Sequence, residues 1–184
     1  MPHQFLLPGF QPPAPPPELR EAREALRDYP DISGAVMCRY GKQLGTAGEL
    51  LFDSLMKCLG ERSIRCDEHE SFDRILWLPD GLVRVQIKTR HSMTGDSYVF
   101  DIKKGYQRGP TGTKPYDRSD FDLLALVVLP EGVIRFTHEW RSSHRIRMAE
   151  IPHLRARPAE SLRQALDGLG LTGGPAPAPS PGPA

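Results

Sequence analysis

Residues 72–90 read FDRILWLPDGLVRVQIKTR and place two short apolar-rich runs on either side of a Pro-Asp-Gly turn. An Asp-Gly pair between two such runs is the strongest short-range signal for a β-hairpin, and it makes Asp80 and Gly81 the predicted turn residues. Successive side chains of a strand point to opposite faces, so the hairpin also fixes which residues are neighbours. One face of its second strand is apolar or nearly so: Val83, Val85, Ile87 and Thr89.

The other face of the hairpin gathers polar groups. With this turn, Asp73 lies opposite Lys88 and Ile75 lies opposite Gln86, so an acid, an amide and an ammonium share one patch. Ile75 and Trp77 accompany Asp73 on its face, which predicts partial desolvation and shifted pKa values. A cross-strand salt bridge on a solvated face is the alternative, and a register slip by one residue would separate Asp73 from the other two.

A helix precedes the hairpin at 46–60, TAGELLFDSLMKCLG. Thr46 and Glu49 have the spacing of a capping box, Gly60 follows the last turn, and the apolar residues recur at helical spacing. Glu49 is either a fourth member of the polar patch or a residue that only fixes the start of the helix.

Over the compact part of the chain, the pattern predicts the helix at 46–60, then about five short strands including the hairpin, and then a final helix. Besides the hairpin, the predicted strands are 63–68, 97–102, the continuous apolar run 123–129, and 133–136. Helices are predicted at 17–29, with Pro17 first, and from Pro158 onward. The pattern within 137–157 predicts no definite element.

Composition places the chain among soluble globular proteins, since 26% of its 184 residues are charged and 39% are hydrophobic. No apolar stretch is long enough to span a membrane and no signal peptide is evident, so we expect a cytoplasmic protein. Three cysteines without CxxC spacing suggest neither a disulfide framework nor a zinc cluster. The net charge of +1 neither requires nor excludes a nucleic-acid partner.

Proline and glycine dominate both ends of the chain, at 11–17 and from 173. We therefore expect a flexible N-terminal extension over 1–36 with a short helix, a single domain over 37–170, and a disordered tail over 171–184.

In order and spacing, Glu49 within GELLF, Asp73 within SFDRILW and Gln86-Ile87-Lys88 within VRVQIKTR resemble the PD-(D/E)xK nuclease superfamily. The nearest likeness is to the group I intron-associated homing endonucleases, in which a glutamine replaces the acid of the (D/E)xK element. It covers about residues 40–136. The chain departs from the pattern because no proline precedes Asp73, and its Pro79-Asp80 pair is better explained by the turn.

The resemblance implies a restriction-endonuclease-like α/β core, with a central mixed sheet of about five strands flanked by helices. It also implies a Mg²⁺-dependent deoxyribonuclease, with Mn²⁺ a possible substitute, that works as a homodimer because duplex cleavage needs two sites. Asp73 would be the main metal ligand, helped by the Gln86 side-chain oxygen and the Ile87 carbonyl. Lys88 would orient the attacking water and offset charge in the transition state. Glu49 would hold a metal-bound water or a second ion.

Basic residues for DNA contact are concentrated in 103–118, where five basic residues and one acid give a local charge of +4. The DNA-binding candidates are Lys103, Lys104, Arg108 and Lys114, joined by Arg90 and His91 after the second hairpin strand. A solvated surface loop is the alternative. A second basic cluster, Arg141, His144, Arg145 and Arg147, is either a contact surface or an exposed helix face, whereas Asp120 and Asp122 are expected to be structural.

Two rival functions remain open at this stage. A catalytically inert DNA-binding or scaffolding protein could retain the nuclease fold, although the intact set of Asp73, Gln86 and Lys88 argues against it. An interaction module that uses its Pro-rich ends as ligands is the other, but those ends carry no repeated basic PxxP signature.

Overall fold

The longest strand, β3 (Gly81–Arg90), lies at the centre of a mixed five-stranded sheet with the order β1-β2-β3-β7-β8. β3 and β7 run parallel, and the other neighbouring strands of the sheet pair antiparallel. The remaining members are β1 (Arg62–Arg65), β2 (Arg74–Leu78), β7 (Leu123–Val128) and β8 (Val133–Thr137). The predicted α/β class, with a central mixed sheet of five strands flanked by helices, is confirmed.

This computed structural model describes residues 14, 16–67, 69–105 and 112–171. The described residues up to Gly41 form one compact unit, and those from Lys42 form a second, which contains the sheet. Helices α1 (Pro17–Ala25) and α2 (Gly34–Arg39) belong to the first unit, and α1 begins at Pro17 as predicted. The boundary at residues 36 and 37 stays a prediction.

Helix α3 (Gly41–Leu59) begins five residues earlier than predicted, so the capping-box interpretation of Thr46 is wrong. Thr46 lies inside the helix, where its hydroxyl donates to the Lys42 carbonyl at 3.1 Å. Glycines in the first two turns conceal the start, because glycine is a poor helix former and the Thr-x-x-Glu spacing also occurs within a helix. Glu49 therefore caps nothing.

The hairpin forms, but its register differs from the prediction by two residues. Leu78 pairs with Gly81 and Arg74 with Val85, so Pro79 and Asp80 are the turn residues. Proline has no N–H for a ladder and fits the second position of a turn, with glycine favoured at the fourth. Gly81 adopts φ 148°, a backbone conformation that other residues rarely take.

Because the shift is two residues, every side chain keeps its face. Continuing the register by one residue puts Asp73 opposite Gln86, and the predicted opposition of Asp73 to Lys88 is wrong. Trp77 does not desolvate the patch, since 52% of it is exposed.

Both faces of the sheet are covered. On one face, Phe52 and Met56 of α3 and Leu162 and Ala165 of α5 (Glu160–Gly168) pack against alternate residues of β2, β3 and β7. The other face carries the antiparallel pair β4 (Ser97–Asp101) and β9 (Ser143–Arg147), together with α4 (Ile151–Ala156). β7 is buried at all six of its positions, which explains its continuous apolar sequence.

The unassigned region 137–157 contains β9, the 3₁₀ turn Met148–Glu150 and α4. The basic cluster at 141–147 is therefore not a helix face, and its His144 is buried. A small antiparallel pair, β5 (Lys103–Lys104) with β6 (Lys114–Pro115), lies within the basic segment 103–118. No helix in the described part of the chain is both long and apolar enough to cross a membrane.

Candidate active site

Asp73 and β3 meet through two short hydrogen bonds to a single carboxylate oxygen. Asp73 Oδ2 accepts from the Gln86 amide, Nε2, at 2.5 Å and from the Ile87 backbone N–H at 2.6 Å. The same Gln86 nitrogen lies 3.2 Å from the Ile87 carbonyl oxygen. The structure thus brings together the three residues predicted to hold a metal, although Gln86 makes these contacts through its amide nitrogen and not through the predicted oxygen.

Backbone pairing fixes the position of Asp73. Its N–H donates to the Val85 carbonyl at 2.9 Å, and its own carbonyl accepts from the Cys66 N–H at 3.2 Å. The side chain therefore projects from the first ladder position beyond β2 toward the buried Gln86, which is 6% exposed.

A buried guanidinium lies immediately beneath this carboxylate. The Arg74 side chain is 3% exposed and makes a bidentate pair with Asp53, with both N···O distances at 2.9 Å. It also donates to Glu49 Oε2 at 3.1 Å and to the Asp73 carbonyl at 2.8 Å. One side chain thus connects two carboxylates of α3 to the backbone that carries Asp73.

Glu49 reaches the site through Arg74 instead of contacting Gln86 or Lys88. It lies close enough to Asp73 for its negative charge to contribute to the raised pKa of that carboxyl. Its membership of the polar patch and its role toward a metal or a water stay predictions.

The Lys88 ammonium is held beside the acid by other groups. It donates to the Tyr116 hydroxyl at 2.8 Å and to the Lys103 carbonyl at 3.0 Å, and it lies 4.8 Å from the centre of the Tyr116 ring. An ammonium has three N–H donors, so two of them are directed to these groups and a third can reach a phosphate or a water.

Burial disfavours charge at both ends of this arrangement. It raises the pKa of Asp73, and the Ile87 N–H and Lys88 only partly oppose that effect. It lowers the pKa of Lys88, with the nearby Asp73 charge acting in the opposite direction. Burial and the Asp73 charge also raise the pKa of Tyr116, so its hydroxyl stays protonated near neutral pH.

The carboxylate, amide and carbonyl oxygens of these residues are the types of ligand that a hard divalent cation binds. Mg²⁺ is bound through one or two carboxylates with waters and phosphate oxygens completing its shell, and carboxylate, amide and carbonyl oxygens all suit it. The described residues contain no group of three or more His, Cys, Asp or Glu that could hold a metal by themselves. Gln86 presents its nitrogen to Asp73, so its oxygen becomes a ligand only if the amide turns by half a revolution.

The predicted DNA contacts are dispersed around this site. Lys103 and Lys114 are exposed on β5 and β6, whereas Lys104 pairs with Asp120 at 2.7 Å and is less available to a phosphate. Arg108 lies outside the described residues. Arg90 is the last residue of β3 and His91 follows it, and each has one buried side-chain nitrogen without a hydrogen-bond partner, Arg90 Nε and His91 Nδ1.

The two acids before β7 make internal contacts, as expected. Asp122 accepts three hydrogen bonds from Arg84, through the backbone N–H and two guanidinium nitrogens at 2.7–3.0 Å. Asp120 accepts from the Asp117 N–H at 2.6 Å as well as from Lys104.

Sequence reasoning missed Arg74 as a site residue and did not connect Tyr116 to Lys88. Arg74 had a detectable signal: it alternates with Leu76 and Leu78, so it points to the apolar face and needs an acidic partner there. Tyr116 had none, because its contact with Lys88 joins residues on separate elements.

No known protein family and no curated protein matches the sequence. Among solved structures, the fold is similar to that of a bacterial homing endonuclease, I-Ssp6803I. The similarity covers 65% of this chain and 96% of that chain, with a TM-score of 0.50 and 17% sequence identity. At that identity the likeness shows the fold alone.

Proposed function

We propose that the protein is a metal-dependent DNA endonuclease of the PD-(D/E)xK type that hydrolyses phosphodiester bonds. The observation that carries the proposal is the convergence of Asp73, Gln86 and Ile87 within 2.5–3.2 Å, with Lys88 on the same sheet face. Homing, restriction, junction resolution and mobile-element processing share this chemistry, and the fold does not choose among them.

Asp73, the Ile87 carbonyl and the Gln86 amide would hold Mg²⁺ or Mn²⁺. When bound, such an ion would neutralise phosphate charge and make hydroxide available near neutral pH. The hydrogen bond from the Ile87 N–H to Oδ2 fixes the Asp73 carboxylate whichever way the Gln86 amide points, which lowers the cost of ordering it. Lys88, anchored by Tyr116 and Lys103, would place positive charge where the phosphate becomes more negative. Glu49 would hold a metal-bound water or a second ion.

DNA is the proposed partner, with Lys103 and Lys114 as phosphate contacts and Lys104, Arg90, His91 and Arg108 as further candidates. A homodimer would supply two sites for the two strands of a duplex.

A catalytically inert DNA-binding or scaffolding protein is the second candidate. It is favoured by the ties of Glu49 to Arg74 and of Gln86 Nε2 to Asp73, which leave a single carboxylate facing the predicted metal position.

The test compares three variants in cleavage of supercoiled, linear and branched DNA with Mg²⁺, Mn²⁺ or EDTA, alongside metal binding by calorimetry. Asp73→Ala should lose metal binding and cleavage together. Lys88→Ala should keep metal binding, because it removes a like charge, and lose at least about a hundredfold in cleavage. Gln86→Glu should tighten metal binding and keep activity or change its metal preference.

Wild-type protein that binds DNA but cuts none of these substrates under any metal condition would support the inert candidate. Wild-type protein that cuts DNA while all three variants cut and bind metal normally would put the active site elsewhere.

A further inference from the structure

A cavity of about 560 Å³ lies beside the Lys88 anchor and has no role in the proposed hydrolysis. Its volume falls in the range of small-molecule sites. The side chains that matter here are the apolar Ile102 and Pro115, the aromatic Tyr116 and Trp140, and the cationic Lys103 and Arg141. We call it the stacking cavity.

The two aromatic rings of the stacking cavity are held in place from behind. The Trp140 indole stacks on Phe121 with ring centres 4.7 Å apart and planes 14° apart, and the Tyr116 ring meets Phe121 edge-on at 5.1 Å. Phe121 itself is buried. Both rings are therefore ordered before a ligand enters, which favours stacking with little loss of side-chain entropy.

Positive charge lies at the rim. Lys103 is exposed on β5, and the Arg141 side chain is 65% exposed, paired with Glu139 at 2.8 Å. Flat aromatic walls beside exposed cations match a nucleobase with its flanking phosphates, because every base has a face for stacking and every linkage carries a negative charge.

The cavity is also adjacent to the proposed chemistry. Lys88 Nζ contacts the Tyr116 hydroxyl and the Lys103 carbonyl, so two residues of the cavity wall also anchor the ammonium. A base stacked there would belong to a nucleotide near the phosphate that Lys88 faces.

We propose that the stacking cavity receives an unpaired nucleobase of the DNA substrate, while Lys103 and Arg141 bind the neighbouring phosphates. The inference rests on the proposed function, since it names the form of DNA that this site takes. The base comes either from a single-stranded region or from a duplex out of which it is extruded, and the chemistry of the cavity is the same for both.

The sequence contains two tryptophans, which provides a direct readout. Trp77 lies half-exposed on β2, outside the cavity wall, so Trp77→Phe leaves Trp140 as the sole indole. In EDTA, a short oligothymidylate should quench Trp140 fluorescence with saturation. An abasic oligonucleotide with the same number of phosphates should leave that fluorescence unchanged.

In the otherwise unaltered chain, Trp140→Leu should weaken binding of the base-bearing oligonucleotide by about tenfold, within the range for losing one stacked base. Arg141→Ala should weaken both oligonucleotides by a similar factor, because it removes a phosphate contact. If Trp140→Leu does not fold, the fluorescence comparison alone decides the proposal.

Three further DNA forms identify the source of the base: a single strand, a duplex with a one-nucleotide bulge, and a fully paired duplex. Quenching by the first two alone indicates a base that is already unpaired, and quenching by all three indicates extrusion from the duplex. Equal quenching by base-bearing and abasic oligonucleotides, or none by either, in protein that binds labelled DNA, would overturn the stacking cavity.

Plasmid cleavage by the same Trp77→Phe protein separates this outcome from failure of the proposed function. Base-dependent quenching without cleavage would contradict the endonuclease and retain the cavity. Cleavage without base-dependent quenching would contradict the stacking cavity and retain the endonuclease. An absence of all DNA binding would overturn both proposals.

Discussion

At the scale of single residues, the site places charge where the fold disfavours it. Burial raises the pKa of Asp73 and lowers that of Lys88, although the Asp73 carboxylate accepts two hydrogen bonds and faces a cation. Such perturbation at adjacent acid and base positions is common in functional sites, because the geometry serves a ligand and not stability alone.

Asp73→Asn should reveal the free-energy cost of burying the charged Asp73 carboxylate. A carboxyl whose pKa is higher in the folded than in the unfolded state stabilises the fold most below its unfolded pKa, and that contribution is lost as pH rises through the folded pKa. In EDTA we therefore expect Asp73→Asn to unfold at higher urea than the wild type at pH 7 to 8, with the difference shrinking toward pH 4.

Urea denaturation across this pH range is the measurement, with Asp101→Asn, an exposed acid on β4, as the matched control. A variant that is less stable than the wild type at every pH would mean that the hydrogen bonds to Oδ2 outweigh the desolvation of the carboxylate.

Replacement of Arg74 should lower the stability of the fold. Arg74→Met removes the cation that pairs with Glu49 and Asp53 and one of the donors to the Asp73 carbonyl, so we expect a loss of about 3 kcal/mol in the free energy of unfolding. Arg65→Met is the control, because Arg65 faces Arg74 across β1 and β2 but is exposed. Equal small effects of the two substitutions would show that the buried cluster contributes little.

At the scale of elements, the approach of α3 to β3 sets the distance between Glu49 and the hairpin. A Cβ atom at Gly48 would lie 2.0 Å from Thr89 Oγ1 and 2.8 Å from Thr89 Cγ2, whereas one at Gly45 would meet nothing within 4 Å. Only a glycine at position 48 lets the helix lie this close to the strand.

Gly48→Ala should therefore destabilise the protein by about 1–3 kcal/mol, as expected for overpacking. Gly45→Ala, on the same helix, should stabilise it by up to about 1 kcal/mol, since alanine favours a helix. Thermal denaturation compares the two, and adding Thr89→Ala to Gly48→Ala should restore only part of the loss, because the Cβ of residue 89 would still lie 2.9 Å from the added methyl group. A neutral Gly48→Ala would show that α3 can move away from β3 without cost.

Alternating and continuous apolar patterns predicted most of the elements of the sheet, because burial imposes those periods on each strand. The failures were of two kinds. Local signals competed at the turn, where Asp-Gly and Pro-Asp each fit a two-residue connection and only the whole ladder decides. The second kind of failure was non-local strand pairing. Strand β9 is stabilised by β4, and no residue within its sequence, SHRIR, indicates that partner.

At the scale of the whole molecule, the site also divides into contacts that a local sequence pattern indicates and contacts between separate elements. Asp73 and Gln86 come together through a single hairpin, so side-chain alternation was enough to associate them, whereas the backbone of Ile87 was indicated only by the family resemblance. Tyr116 enters through a contact between separate elements, of which a single sequence carries no direct signal, whereas the alternation of Arg74 with Leu76 and Leu78 indicates its buried position but not its partners.

Salt dependence tests the proposed DNA surface of the whole protein. Replacing Lys103 and Lys114 together by glutamine should weaken DNA binding and reduce the slope of log affinity against log salt by about 0.9 per lost phosphate contact. Lys57→Gln, an exposed lysine on α3, is the control and should leave the slope unchanged. Fluorescence anisotropy at several salt concentrations measures both, and a double variant with the wild-type slope would remove these lysines from the interface.

The parallel pairing of β3 with β7 has a consequence for the order in which the site assembles during folding. A hairpin closes within microseconds, but parallel strands pair only after a long crossover has been ordered, which slows folding. The contact of Asp73 with Gln86 and Ile87 needs only the hairpin, whereas the Lys88 anchors at Lys103 and Tyr116 belong to the crossover between β3 and β7. A refolding chain should therefore position Asp73 before it positions the Lys88 ammonium. The proposed activity should appear only with the slower step, the ordering of the crossover between β3 and β7.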